Sequence, residues 1–247
     1  MGRLRVAAAL LTVFPASSVQ VTPQDVRAVE WKLTAMSAYF SATWNDFFIN
    51  VDPRLYASPK RVSYSRSTNT ACGEIGPGNA GYCSRDNTIY YDREFLAARM
   101  KAAAAALRTD GDYAPVVILA HEWGHAAAYW YRQQNRRLSW QTFAGEQLAD
   151  CLAGAITVAA EKATKLRPGD LQEAEFEIQA GGAPIPSNFA NSEVPGLEKL
   201  NLDPGKLVTH GEPADRLRAF RKGYREMAPR CWADLKLGGY GRPAAPR

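Results

Sequence analysis

The stretch VVILAHEWGHAAAYW, Val116 to Trp130, places two of the chain's three histidines, His121 and His125, four residues apart in an apolar run. It admits two readings: a core helix with two buried histidines, or the floor of a metal site. On a helix, residues four apart share a face, so both imidazoles can point at one ion, with Glu122 about 100° round the axis. HExxH zinc chemistry needs this spacing. Two neutral imidazoles hold Zn²⁺, and the neighbouring carboxylate reaches a water whose pKa the ion lowers from ~15.7 towards ~7. Glu122 can take that water's proton during attack on a carbonyl and return a proton to the leaving amine. Gly124 costs about 1 kcal/mol against alanine inside a helix, which close approach of a second element would explain; a tolerated packing glycine is the alternative.

A catalytic zinc site needs a third protein ligand. The metzincin spacing HExxHxxGxxH is excluded, because Ala128 and Tyr131 hold the required Gly and His places. Downstream, GEQLADCLAG offers Glu146 and Asp150 four apart, again on one helical face. Glu146 can be the third ligand. Asp150, one turn on, can accept the outer N–H of a ligand histidine and fix its tautomer. The third histidine, His210, lies just before a helix opened by Pro213. Two roles stay open for it: a donor to the oxyanion formed on an attacked carbonyl, or a capping residue. Arg216 is equally ambiguous, able to hold substrate or to pair with an acid.

Working outward, Thr22-Pro23 with Asp25 caps a helix running to about Phe48. The runs RVSYSR (61–66) and NTIYYD (87–92) suggest a small antiparallel sheet. Further helices are expected over about 93–108, 114–134 and 140–165, the last capped by Ser139, and then over LQEAEFEIQA behind an Asp170/Glu173 capping box. Pro184, Pro186, Pro195 and Pro204 interrupt a long connection before the final helix, ADRLRAFRKGYREM. The fold class is therefore α+β and mostly helical, in one domain over 19–235, with a flexible tail at 236–247.

At the N-terminus, MGRLR, then VAAALLTVF, then PASSVQ follow signal-peptide grammar over 1–18. The apolar run is too short for a span of ~20 residues, so no stable membrane insertion is expected once the leader is removed. An exported, periplasmic or extracellular protein follows. Its four cysteines, Cys72, Cys83, Cys151 and Cys231, then read as disulfides. Three pairings are open. Cys72 and Cys83 flank the Gly-rich GEIGPGNAGY, which favours that short closure and leaves Cys151 for Cys231. No CxxC pair supports a four-cysteine metal site. The formal net charge of +5 includes Arg3 and Arg5 of the leader, and there is no basic stripe, so nucleic acid is not an expected partner.

Over roughly Ala71 to Cys231 the chain resembles the neutral zinc metallopeptidases, a bacterial family related to the Glu-liganded zinc proteases. The resemblance rests on ACG, GYCSRDNTIYYD, AHEWGH, EQLADCLAG, PGDLQEA and HGEPADRLRAFRKGY, in that order. It implies a zincin-like domain with Zn²⁺ on His121, His125 and Glu146, Glu122 as catalytic base, Asp150 behind a ligand, and a functional role for His210. It also implies that NTIYYD is the sheet-edge strand beside the cleft. Ala126, Ala127 and Ala128 depart from the family, which often has a histidine and a glutamine there, and Gly181-Gly182 stand where GD is common. The expected activity is zinc-dependent hydrolysis of peptide or protein substrates. The alternatives are a zinc-stapled binding protein and a zinc amidase acting on cell-wall peptides.

Overall fold

A computed structural model describes residues 20–49, 56–134, 142–181 and 210–236. The leader at 1–18, Ser139, the four-proline connection and the tail from 237 lie outside these residues. Among the described residues there are six helices and two small sheets.

Helix α1 (Pro23–Ile49) starts as its sequence suggests: Asp25 N donates to Thr22 Oγ1 at 3.2 Å, and Asp25 Oδ2 accepts from Thr22 N at 2.7 Å. Its Leu33, Phe40, Trp44 and Phe48 recur at helical spacing and are buried. The strands follow as β1 (Lys60–Tyr64), β2 (Thr68–Thr70), β3 (Gly73–Ile75), β4 (Ala80–Cys83) and β5 (Thr88–Asp92). β2 and β3 form a two-stranded hairpin, and the other three form a sheet in the order β1-β5-β4.

Two expectations are corrected here. β1 and β5 are parallel, not antiparallel, with Lys60 opposite Thr88 and Tyr64 opposite Asp92. The connection between them carries β2, β3 and β4, long enough for the crossover that parallel pairing requires. The antiparallel partner of β5 is β4, reached through a short turn in which Asn87 adopts φ 52°. NTIYYD is therefore the central strand, and the edge beside the cleft belongs to β4. The sheet is mixed.

Helix α2 (Arg93–Leu107) begins on Asp92, whose Oδ1 accepts from Glu94 N at 3.0 Å and Phe95 N at 3.2 Å. Helix α3 (Ala114–Gln134) has Pro115 in its first turn and is the inner helix, packed against α1, α2, the sheet and the two helices that follow it in the chain. Then come α4 (Thr142–Lys162), α5 (Asp170–Ala180) and α6 (Pro213–Lys236). The capping box expected at α5 does not form. Gly169 is the cap, and Glu173 turns inward to accept the main-chain N–H groups of Gly111 (3.0 Å) and Tyr113 (2.7 Å). A buried carboxylate that can satisfy two orphan donors in the turn before α3 leaves its own helix end to backbone bonds. α6 runs beyond its expected end: it breaks helical geometry at Met227 (φ 65°, ψ 173°), two residues before Pro229, and then resumes.

Two disulfides join Cys72 to Cys83 and Cys151 to Cys231. The second ties α4 to α6 where the two backbones nearly touch: a Cβ on Gly223 would lie 1.6 Å from the Cys151 carbonyl oxygen. Among the described residues, no helix is long and apolar enough to cross a membrane.

Candidate metal centre

The crossing of α3 and α4 is what assembles the site. A Cβ on Gly124 would stand 2.8 Å from the carbonyl oxygen of Ala149 and 2.9 Å from its Cα, so only glycine permits this approach. Gly124 lies between His121 and His125, and Ala149 lies between Glu146 and Asp150. The contact thus turns the two sequence pairs towards each other.

At the junction, His121 Nε2 lies 3.1 Å from His125 Nε2 and 3.1 Å from Glu146 Oε2, and His125 Nε2 lies 3.4 Å from the same oxygen. All three donor atoms fall within 4.8 Å of one another. Donors about 2.1 Å from a tetrahedral zinc ion stand about 3.4 Å apart, so the spacing fits. The chemistry of the donors fits as well. His121 Nδ1 is 2.7 Å from Asp150 Oδ1. With the imidazole proton on that nitrogen, Nε2 presents a lone pair to the lone pairs of His125 and Glu146. Convergent acceptors without a donor make a cation site.

Without an ion, protons take the cation's place. Burial works against a charged His121, but the Asp150 carboxylate, its hydrogen bond and Glu146 outweigh it, and the pKa is pushed up to about 10. His125 is raised for the same kind of reason, burial being overcome chiefly by Glu146. Burial would raise Glu146, but the two histidines beside it hold it well below the usual carboxylate range. Asp150 is fully buried, and the Arg216 and His121 charges override that burial to keep it low.

Arg216 answers one ambiguity: its guanidinium forks onto Asp150, with Nε to Oδ2 at 2.8 Å and Nη2 to Oδ1 at 2.7 Å. It pairs with an acid behind the site. His210 comes in from the opposite side, its Nε2 3.3 Å from Glu146 Oε2. Gln147 Nε2 donates to the His210 carbonyl at 3.0 Å, and Gly211 (φ 86°) packs under Phe143 where a Cβ would be 2.7 Å from the ring. Burial lowers the His210 pKa, and Arg216 adds to this against the pull of Glu146. The three-donor cluster does not include His210.

A cavity of about 450 Å³ opens over the cluster and is lined by Glu122, His125, Glu146 and His210. Its walls include Tyr82 and Ser84 from the β4 side and Tyr129 and Arg132 from α3. Sequence reasoning passed over these wall residues. Tyr129 and Arg132 follow His125 by four and seven residues, so helical spacing alone could have found them. Tyr82 could not be found that way, because its contribution is a main-chain N–H donating to Glu122 Oε2 at 2.8 Å.

The family described as "Putative neutral zinc metallopeptidase" matches residues 16–231. The protein named "Uncharacterized protein YpfJ" of Escherichia coli (strain K12) is 29% identical over 242 residues, which cover 89% of this chain and 77% of that protein. The protein of the same name in Escherichia coli O6:H1 (strain CFT073) matches with the same figures. No solved structure matches the chain.

Proposed function

Because the chain belongs to the neutral zinc metallopeptidase family, we propose that it is a zinc-dependent peptidase, with His121, His125 and Glu146 as metal ligands and Glu122 as general base. The observation that carries the reading is the convergence of three lone-pair donors within 4.8 Å, two of which, on His125 and Glu146, line a cavity that Glu122 also lines. When bound, zinc supplies a Lewis acid for the peptide carbonyl and lowers the pKa of a water held there.

The protein's own residues supply the rest. Glu122 takes the proton of the attacking water and delivers a proton to the departing amine. Asp150 accepts from Nδ1 of His121 and keeps Nε2 free for the metal. His210, on the cavity wall, donates to the oxygen that becomes negative as the carbonyl is attacked. β4 ends its sheet, and with its Tyr82 N–H given to Glu122 the carbonyls of its free flank can accept from the main chain of an extended peptide with little demand on side chains. The substrate class is therefore an extended peptide segment.

A zinc-stapled binding protein would need a closed site of four protein ligands. Among the described residues the cluster supplies three, and His125 and Glu146 among them line the cavity, which favours a site with an open position. Export of the protein fits its two disulfides, which persist in oxidising compartments.

The test is Glu122→Gln. Zinc content by mass spectrometry should stay near one per chain, while cleavage of a peptide library falls by a factor of about 100 or more. Cleavage at the wild-type rate would overturn the assignment of the base, and a wild-type protein that takes up no zinc would overturn the site.

A further inference from the structure

Strand β4 is only four residues long, yet it is fastened at both ends. Ahead of it, the Tyr64 hydroxyl reaches the carbonyls of Gly76 (2.9 Å) and Asn79 (3.0 Å), and Asp92 Oδ2 accepts from Gly78 N at 2.9 Å. At its far end Cys83, only 1% exposed, is bonded to the exposed Cys72. Between these anchors one flank pairs with β5, while the other sends the Tyr82 N–H 2.8 Å to Glu122 Oε2. The segment from Gly73 to Gly81 holds four glycines and has little stiffness of its own.

Resting on the reading of Glu122 as base, we infer that β4 is a positioning element for that carboxylate, acting through the Tyr82 main-chain N–H. The Cys72–Cys83 bond holds it in place, so reducing this bond disarms the base while leaving the donor cluster intact. Access favours this disulfide over the other. Cys72 is exposed, whereas Cys151 and Cys231 are both 0% exposed. An external thiolate attacks one sulfur and releases the other as a thiolate. A second equivalent of thiol then completes the exchange, leaving two cysteine thiols in the protein and the reagent as its own disulfide. The hydrogen bond orients the Glu122 oxygen, and displacement of a catalytic group by about 1 Å costs up to about 100-fold.

The test uses zinc-loaded protein treated with a mild thiol until alkylation and mass mapping show that Cys72 and Cys83 alone are reduced. Zinc content should be unchanged, exchange of the Tyr82 amide should speed up at least tenfold, and kcat should fall about ten- to a hundredfold with a smaller change in KM. Tyr64→Phe, which keeps the disulfide but removes the hydroxyl at the other end, should move the same readouts in the same direction. Unchanged kcat and unchanged Tyr82 exchange on reduction would overturn the inference. If the oxidised protein cleaves no peptide, the proposed activity fails separately. The clamp is then judged on Tyr82 amide exchange alone, and protection that survives both reduction and Glu122→Ala would overturn it.

Discussion

Arg216 grips both carboxylate oxygens of Asp150 in a two-pronged ion pair, with both residues buried and Asp150 passing its remaining contact to the ring of His121. Removing the cation would strand a fully buried charge, a change that costs about 3–5 kcal/mol. Arg216→Met should lower the unfolding free energy of the zinc-free protein by that amount and weaken zinc binding about 10- to 100-fold in chelator competition. Arg216→Lys should recover part of the stability but less of the affinity, because an ammonium is a point charge without the fork. Equal zinc affinity in all three proteins would show that the pair supports the fold alone.

Proton release on metal binding provides a second check. In the zinc-free fold His121 is protonated up to about pH 10, against 6.5 for a free histidine. A pKa raised by folding stabilises the zinc-free protein fully below about pH 6.5, and this contribution is lost as pH climbs towards 10. Zinc must displace that proton. Binding at pH 7 should therefore release at least one proton, and the apparent affinity should rise with pH. Calorimetric titrations in two buffers of different ionisation heat measure the number directly. A count of zero at pH 7 would contradict the charge arrangement around His121.

The parts of the site legible in the sequence were those set by helical spacing. His121 and His125, and Glu146 and Asp150, are each four apart, and four-residue spacing survives any tertiary context; Gly124 hinted at the crossing that joins the pairs. The bounds of α3 were legible too, because Pro115 limits its start. Strand pairing was not. RVSYSR and NTIYYD carry no mark of direction, and AGYC, too short and too rich in small residues to read as a strand, took the edge position instead. Glu173 followed capping-box spacing, yet its carboxylate was drawn to buried N–H groups about 60 residues earlier, a partner no local pattern encodes. Arg216 was unreadable for the same reason: its acid lies 66 residues away.

The glycine at the crossing has a measurable consequence. Gly124→Ala gives the α3 helix a better helix former but sets a methyl against the Ala149 backbone, which cannot swing aside as a side chain would. Overpacking of this kind costs about 1–3 kcal/mol. Separation of α3 from α4 also parts His121 and His125 from Glu146, so zinc affinity should fall together with thermal stability. Gly76→Ala is the control, since a Cβ there meets nothing within 4 Å. A Gly124→Ala protein with wild-type zinc affinity would mean that the helices can part without opening the cluster.

The Cys151–Cys231 bond closes a sequence separation of 80 residues and joins the helix that carries Glu146 and Asp150 to the helix that carries Arg216. Loop-entropy arguments assign about 3 kcal/mol to a 15-residue closure and about 4.7 to a 100-residue one, which puts this bond near the upper figure. Both sulfurs are buried, so replacing the pair by alanine removes the link without adding a polar group. Cys151→Ala with Cys231→Ala should lower the melting temperature by about 10 °C or more at 2–4 °C per kcal/mol. The Arg216 fork and the close glycine contacts of Gly154 and Gly223 remain in that variant, and they hold α4 against α6 in the folded state. Zinc affinity of the folded variant should therefore stay within about threefold of wild type, in contrast to Arg216→Met. A large loss of affinity with little loss of stability would reverse the assignment, making the disulfide a brace for the metal site and the fork a brace for the fold.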